Sequence, residues 1–371
     1  MAWQLIESDD ALAGLLEGAA GSTAVAVDTE FMRRNTFYPQ VALLQLCFDD
    51  QAWLIDPLAI TETGPLIDLM ENSAIVKVLH SASEDLEVFQ QWLGVLPQPL
   101  FDTQRAAALL DRGFGVGYRS LVLEICGVDL AKGETRSDWL RRPLTESQCE
   151  YAAQDVIHLL SAWRSLDEEC NQQGKRDWVF SDSQIAAGSL ATAAGQFHKR
   201  IKSGWKLNAR QQQALVAVCD WREQMARHKD KPRNWIIDDK ACLGLAQMKS
   251  TTWNEMKALD LLSASALRHY GSELVALLER QPDLDGIETP QLLPRPLDSG
   301  QRNQVKQLKQ TAKKIAASLG VAPEALLQAK DYEALVREAS GEQVTEPRQW
   351  QGWRGELVVS PLRRALSGEG T

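Results

Sequence analysis

Long apolar runs are missing from this 371-residue chain. No segment approaches the roughly 20 uninterrupted apolar residues that a membrane span requires. The opening residues, MAWQLIESDD, lack the basic stretch and apolar core of a secretory leader. A cytoplasmic protein with no membrane association is the expectation. Cysteine is sparse and unpatterned, for Cys47, Cys126, Cys149, Cys170, Cys219 and Cys242 include no C-x-x-C pair. That argues against a structural zinc site, and a chain of this size does not depend on a disulfide framework. Reduced, mostly buried thiols are expected instead. With 44% hydrophobic and 24% charged residues the composition is that of an ordinary globular protein, long enough for two or three domains.

Positive charge is short in the front half. Residues 1–190 hold 13 Lys and Arg against 29 Asp and Glu, and residues 191–371 hold 27 against 21, so charges of −16 and +6 lie behind the net −10. A basic half on an acidic protein has the character of a polyanion-binding appendage.

Strand-like apolar runs occur at Ala24–Asp28, Ala42–Phe48, Ala52–Ile55 and Ile75–Leu79. Helical spacing occurs at Ser83–Trp92, Thr103–Leu110 and Glu146–Leu166. This alternation predicts an α/β layer on a mixed sheet whose first three strands form an antiparallel meander. From about Gly174 the pattern is helical alone, with only VVS near the C-terminus strand-like. Leu207–His228 and Leu261–Arg280 bracket a shorter pair starting near Asp238 and Thr252, and a second group begins with Ser299–Leu319 after Pro290, Pro294 and Pro296. The expected layout is an α/β domain over 1–190, a basic linker over 191–206, and helical domains over 207–290 and 295–371.

Chemistry concentrates in three places. The strand AVAVDTEF ends on Asp28 and Glu30, two apart and therefore on one face. Paired like charges there call for a divalent cation or for open solvent. In IVKVLHSASEDLEVF, Asp85 falls near the start of a helix, where it either returns to the strand ends or simply favours the positive helix end, with Ser81 or Ser83 as cap. In TESQCEYAAQDV a capping-box start places Tyr151 and Asp155 one helical turn apart, as site residues or as a surface pair. Four carboxylates and a phenol are together the set that a two-metal phosphodiester hydrolase needs, and oxygen ligands select Mg²⁺ or Mn²⁺.

The order D-x-E, H-x-x-x-x-D, Y-x-x-x-D, carried here by Asp28 and Glu30, His80 and Asp85, and Tyr151 and Asp155, resembles the three motifs of the DEDDy exonucleases. KGETRSDWLRRPLTESQCEYAAQDV (Lys132–Val156) resembles the ribonuclease D branch, and PRNWIIDDKACLGLA with the weaker SLGVAPEALLQAKDYEALV and GWRGEL resembles paired HRDC domains. The resemblance implies a ribonuclease H-like α/β exonuclease domain followed by two all-α HRDC-type domains. It implies a 3′→5′ exoribonuclease that trims tRNA precursors with 3′ extensions and other structured RNAs, releasing nucleoside 5′-monophosphates. Asp28, Glu30, Asp85 and Asp155 would hold two divalent ions, Mg²⁺ or Mn²⁺, and Tyr151 would position the attacking water; no obligate protein partner is implied.

Phe31, Phe37 and Tyr38 suit either the core, as aromatics just past a strand usually do, or stacking on terminal bases. His80 at its strand end suits a structural hydrogen bond or substrate contact, and Lys132, Arg136, Arg141 and Arg142 suit a solvated loop or phosphate contact. The basic residues around Trp205 (His198, Lys199, Arg200, Lys202, Lys206) and before Trp235 (Arg222, Lys229, Lys231, Arg233) suit RNA, although either tryptophan also suits a helical core. A DNA-directed exonuclease and a non-catalytic RNA-binding protein are the rival readings.

Overall fold

In the computed structural model, residues 3–131, 137–190, 196–280 and 293–368 are described. Contacts group the chain into two units. One comprises Met1–Met32, Pro39–Leu190 and Leu297–Thr371, the other Arg33–Tyr38 and Ala191–Pro296.

The first unit is built on strands β1 (Trp3–Ile6), β2 (Ala24–Met32), β3 (Gln40–Phe48), β4 (Gln51–Ile55), β5 (Val76–Leu79) and β6 (Leu100–Asp102). Their order is β1-β4-β3-β2-β5-β6; β2, β3 and β4 pair antiparallel as a meander, and the remaining pairs are parallel. Interleaved helices are α1 (Asp9–Gly18), α2 (Gly64–Glu71), α3 (Ser83–Trp92), α4 (Thr103–Leu109), α5 (Tyr118–Cys126), α6 (Glu146–Ile157), α7 (Leu159–Gln172) and α8 (Arg176–Gly188).

Central β2 is apolar on both sides because both sides are covered. Val25 and Val27, with Leu44 and Leu46 of β3, pack among Leu12 of α1, Met70 of α2, and Leu86 and Phe89 of α3. Ala24 and Ala26, with Leu43 and Leu54, pack against Ala152 and Val156 of α6 and Leu160 of α7. Each buried Leu, Val or Phe contributes about 1.5–3 kcal/mol.

Glu146–Leu166 is not one helix. The Tyr118 hydroxyl donates to the Gln154 carbonyl at 3.1 Å, which is the acceptor His158 would use in an unbroken helix. A side chain inserted into the backbone ladder breaks it, and α6 gives way to α7 at His158.

The second unit holds α9 (Ala209–His228), α10 (Arg233–Ile236), α11 (Asp239–Ala246), α12 (Trp253–Ala258) and α13 (Ala264–Glu279). Its core includes Leu215, Val218, Trp221, Ile236, Leu245 and Leu274. Phe197 and Ile201, read from the sequence as linker, are buried in it, and so is Phe37. The Arg227 and Arg233 guanidinium groups lie 4.9 and 4.7 Å from the Phe37 ring centroid. Asp230 accepts from the Phe37 and Tyr38 amides at 2.9 and 3.0 Å. Phe37 is thus a core residue rather than a base-stacking one.

The helices α14 (Ser299–Leu319), α15 (Pro323–Leu326), α16 (Ala329–Ala339) and α17 (Ser360–Ser367) belong by their contacts to the sheet unit. Leu308, Ala312, Leu335 and Leu362 share one core with Phe101, Leu109, Leu166 and Val179. The Ala322 amide donates to the Ala108 carbonyl at 2.8 Å. Buried Lys175 donates to the Leu109 and Gly320 carbonyls at 2.9 and 2.8 Å. Arg354 forms a buried, bidentate ion pair with Asp182, and Trp353 stacks on Trp178 with centroids 4.3 Å apart. The VVS run is helical, with Val358 and Val359 buried in a π turn that leads into α17. Among the described residues no helix is long and apolar enough to cross a membrane.

Candidate active site

Asp28, Thr29 and Glu30 follow the buried half of β2. Period-two geometry puts Asp28 and Glu30 on the face covered by α6 and Thr29 on the face covered by α3. In register, Asp28 lies opposite Gln45 and Glu30 opposite Leu43, and the pairing shifts between Glu30 and Phe31. A bulge of this kind re-aims the side chains at a strand end, and it leaves Phe31 half-buried.

Asp85 comes from the first turn of α3. Neither Ser81 nor Ser83 caps this helix by its side chain; Ala82 is the cap residue. The buried carboxylate of Asp102 takes that role across the sheet, accepting from the Ser81 and Ala82 amides at 3.0 and 3.2 Å. It also accepts from Gln104 and Arg105 at the start of α4, at 2.9 and 3.4 Å. These bonds hold Ser81 at φ +61°, a conformation uncommon outside glycine. Asp85 then meets Thr29, whose Oγ1 donates to Asp85 Oδ1 at 2.5 Å. The threonine between the two acids therefore ties the third acid to the strand.

Tyr151 and Asp155 come from α6, which begins with the expected capping box of Thr145 and Gln148. The Tyr151 hydroxyl donates to the Asp155 carboxylate. Strand end and two helices thus bring all four carboxylates within electrostatic reach of one another. Burial first, and then Asp85, Asp155 and Glu30, push Asp28 well above the usual carboxylate range. Burial with Asp155 and Asp85 raises Glu30 to about 8. Asp85 rises to about 7 through burial, partly offset by the Thr29 hydroxyl. Asp155 also rises to about 7 through burial, partly offset by Tyr151. Burial and these acids push the Tyr151 phenol up as well.

Burial, more than mutual repulsion, is what holds these four acids toward their neutral forms. Among the described residues no three such groups form a ready-made coordination shell. The fit rests instead on charge and donor chemistry: carboxylate oxygens suit hard Mg²⁺ or Mn²⁺, and a cation offsets the burial and repulsion that favour the protonated acids.

The softer candidates divide. Both His80 ring nitrogens are engaged, Nδ1 with Thr103 Oγ1 at 2.9 Å and Nε2 with the Val116 carbonyl at 3.0 Å. Arg142 is structural, for its guanidinium donates to both Asp56 oxygens at 2.5 and 2.7 Å and to the Ala42 carbonyl at 2.7 Å. Arg141 is exposed. Lys132 and Arg136 lie outside the described residues. In the helical unit Arg222 is buried and paired with Asp239 at 2.8 Å, whereas Lys229 and Lys231 are exposed. Trp235 is 61% exposed, with Lys231 Nζ 5.8 Å from its ring centroid. Two functional residues escaped the sequence reading. Thr29 gave no signal, while Asp102 was visible only as the acid before the Thr103 helix.

The sheet, its acidic strand end and the match of residues 3–171 to the 3′-5′ exonuclease family define the class, and residues 211–278 match the HRDC domain family. Ribonuclease D of Pseudomonas paraeruginosa is 38% identical over 98% of this chain and 97% of its own length. Ribonuclease D of Escherichia coli is 36% identical over 99% of both. The crystal structure of E. coli RNase D, described as an exoribonuclease involved in structured RNA processing, superposes with a TM-score of 0.88 at 35% identity, covering 100% of both chains. The chain belongs to the ribonuclease D family of 3′→5′ exoribonucleases.

Proposed function

We propose that Asp28, Glu30, Asp85 and Asp155 hold two divalent cations and that the chain trims the 3′ ends of tRNA precursors and other structured RNAs in the cytoplasm, releasing nucleoside 5′-monophosphates. The observation that carries this reading is the convergence of four acids where β2, α3 and α6 meet, with Thr29 tying Asp85 to the strand and Tyr151 holding Asp155. When bound, such cations activate water and stabilise the attacking and leaving oxygens of an in-line displacement. Asp28 and Glu30 offer their oxygens from a rigid strand, Thr29 fixes the side chain of Asp85, and Tyr151 orients Asp155. With its phenol pushed upward, Tyr151 stays protonated at neutral pH and donates a hydrogen bond; it orients the attacking water and does not deprotonate it. We divide the sequence functionally into the exonuclease domain (1–190), an HRDC domain together with the basic stretch that packs into its core (191–290), and an HRDC-like segment (295–371). Exposed Trp235 and Lys231 supply a stacking surface and a phosphate contact for the RNA.

The test is product analysis of a 5′-labelled, 3′-extended tRNA-like RNA and its DNA equivalent with Mg²⁺, Mn²⁺ or EDTA, alongside Asp155→Ala. Stepwise shortening of the RNA that needs metal and is lost in the variant is the expected result. Equal cutting of DNA, or shortening in EDTA, would overturn it.

A further inference from the structure

Gln45 is fully buried on β3, and neither its amide nitrogen nor its amide oxygen has a hydrogen-bond partner among the described residues. Burial of an unsatisfied amide is costly. A leucine or methionine would fill the same space without that cost, so the glutamine calls for an explanation. Register limits what it can serve. The two residues directly opposite Gln45 are Leu54 on β4 and Asp28 on β2. Leu54 offers nothing to a polar group; Asp28 offers a carboxylate. Residues directly opposite one another on antiparallel strands point to the same face, with Cβ atoms about 4.5–5.5 Å apart, so a Gln amide and an Asp carboxylate there can meet. The face they share is closed by Cys149, Ala152 and Val156 of α6.

We propose that Gln45 is a positioning residue for the metal site: its amide N–H, without a partner among the described residues, donates to the Asp28 carboxylate when cations are bound and holds it in its cation-binding orientation. The inference rests on the cation-binding reading above. A neutral donor suits this place. A buried Lys or Arg would cancel the negative charge that attracts the cations, whereas an amide stabilises the ionised carboxylate and leaves that charge available.

Gln45→Met keeps the volume and removes the donor. Two measurements on the full chain separate positioning from mere packing: the thermal midpoint in EDTA, and calorimetric titration with Mn²⁺ alone, without RNA. Cys47→Ala, another buried position on the same strand and face, is the packing control. Gln45→Met is expected to keep or raise the metal-free midpoint, because an unsatisfied amide is gone, and to weaken Mn²⁺ binding about 10–100-fold. Cys47→Ala should lower the midpoint and leave Mn²⁺ affinity near that of the wild type. Wild-type Mn²⁺ affinity in Gln45→Met would overturn the proposal, as would a loss of affinity that only follows a lowered midpoint. If the wild-type protein binds no Mn²⁺, the cation-binding reading falls and this inference with it.

Discussion

Asp155→Asn should make the metal-free protein more stable at pH 8. Asp155 is raised from 3.8 to about 7, so the fold prefers its neutral form. A carboxylate raised in this way contributes its full stability below about pH 4, where the acid is neutral both folded and unfolded. That contribution is lost as the pH climbs through about 7. The gap of about three pH units corresponds to about 4 kcal/mol at about 1.4 kcal/mol per unit. Asp155 keeps partial contact with solvent, which discounts the gain from the substitution to about 1–3 kcal/mol. Asparagine cannot ionise, yet it still accepts from Tyr151, so the local geometry survives. Denaturation in EDTA at pH 5 and pH 8 is the assay. The variant's advantage should be several degrees at pH 8 and should shrink at pH 5. Saturating Mn²⁺ should reverse the order, since a cation bound at 100 times its Kd adds about 2.7 kcal/mol to a protein able to hold it. A variant less stable than wild type in EDTA at pH 8, or an equal gain from Mn²⁺ in both proteins, would refute the reasoning.

Tyr151→Phe should lower kcat about 100-fold or more, because the hydroxyl orients the attacking water, and should weaken Mn²⁺ binding about 10-fold, because it also orients Asp155; a kcat near that of the wild type would contradict that role. Arg354→Ala strands the buried Asp182 carboxylate and should cost about 3–5 kcal/mol in thermal denaturation. Pairing Asp182→Leu with Arg354→Met should recover much of it, and a double variant as unstable as the single one would argue against charge as the cause. Trp235→Ala, at a ring that is 61% exposed, should weaken RNA binding by about 1–3 kcal/mol without moving the melting temperature. Lys231→Ala should reduce the slope of log affinity against log salt by about one, and filter-binding titrations over a salt series would show neither change if the helical unit does not touch RNA.

The sequence exposed the parts of the site that follow from local periodicity and hid those that depend on partners distant in the chain. Asp28 with Glu30, and Tyr151 with Asp155, are readable because period two and period four bring side chains together within a single element. Thr29, between the two acids, points to the opposite face of its strand. Its bond to Asp85 depends on where α3 starts, and that start is set by Asp102 on another strand. The same division holds for the fold. β2, β3, β4 and β5 have long or strongly apolar signatures, whereas β1 and β6 have four and three residues and gain their identity from parallel pairing with β4 and β5. The break at His158 was invisible because its cause, Tyr118, lies 36 residues from Gln154. Amphipathic spacing in Ser299–Leu319 announces an apolar face but not its partner, and Leu308 and Ala312 meet the core of the sheet unit.

That shared core gives the chain a timetable. Phe101, Leu109 and Val179 are synthesised well before Leu308, Leu335 and Leu362, which cover them, and Ala191–Pro296 lies between in the order of translation. At about 5–20 residues per second, roughly a hundred intervening residues delay completion by about 5–20 s. During that interval the nascent catalytic sheet carries an uncovered apolar flank and a buried-to-be Asp182 without its arginine. A chain that ends within the helical unit therefore lacks the residues that cover this flank and the arginine that neutralises Asp182.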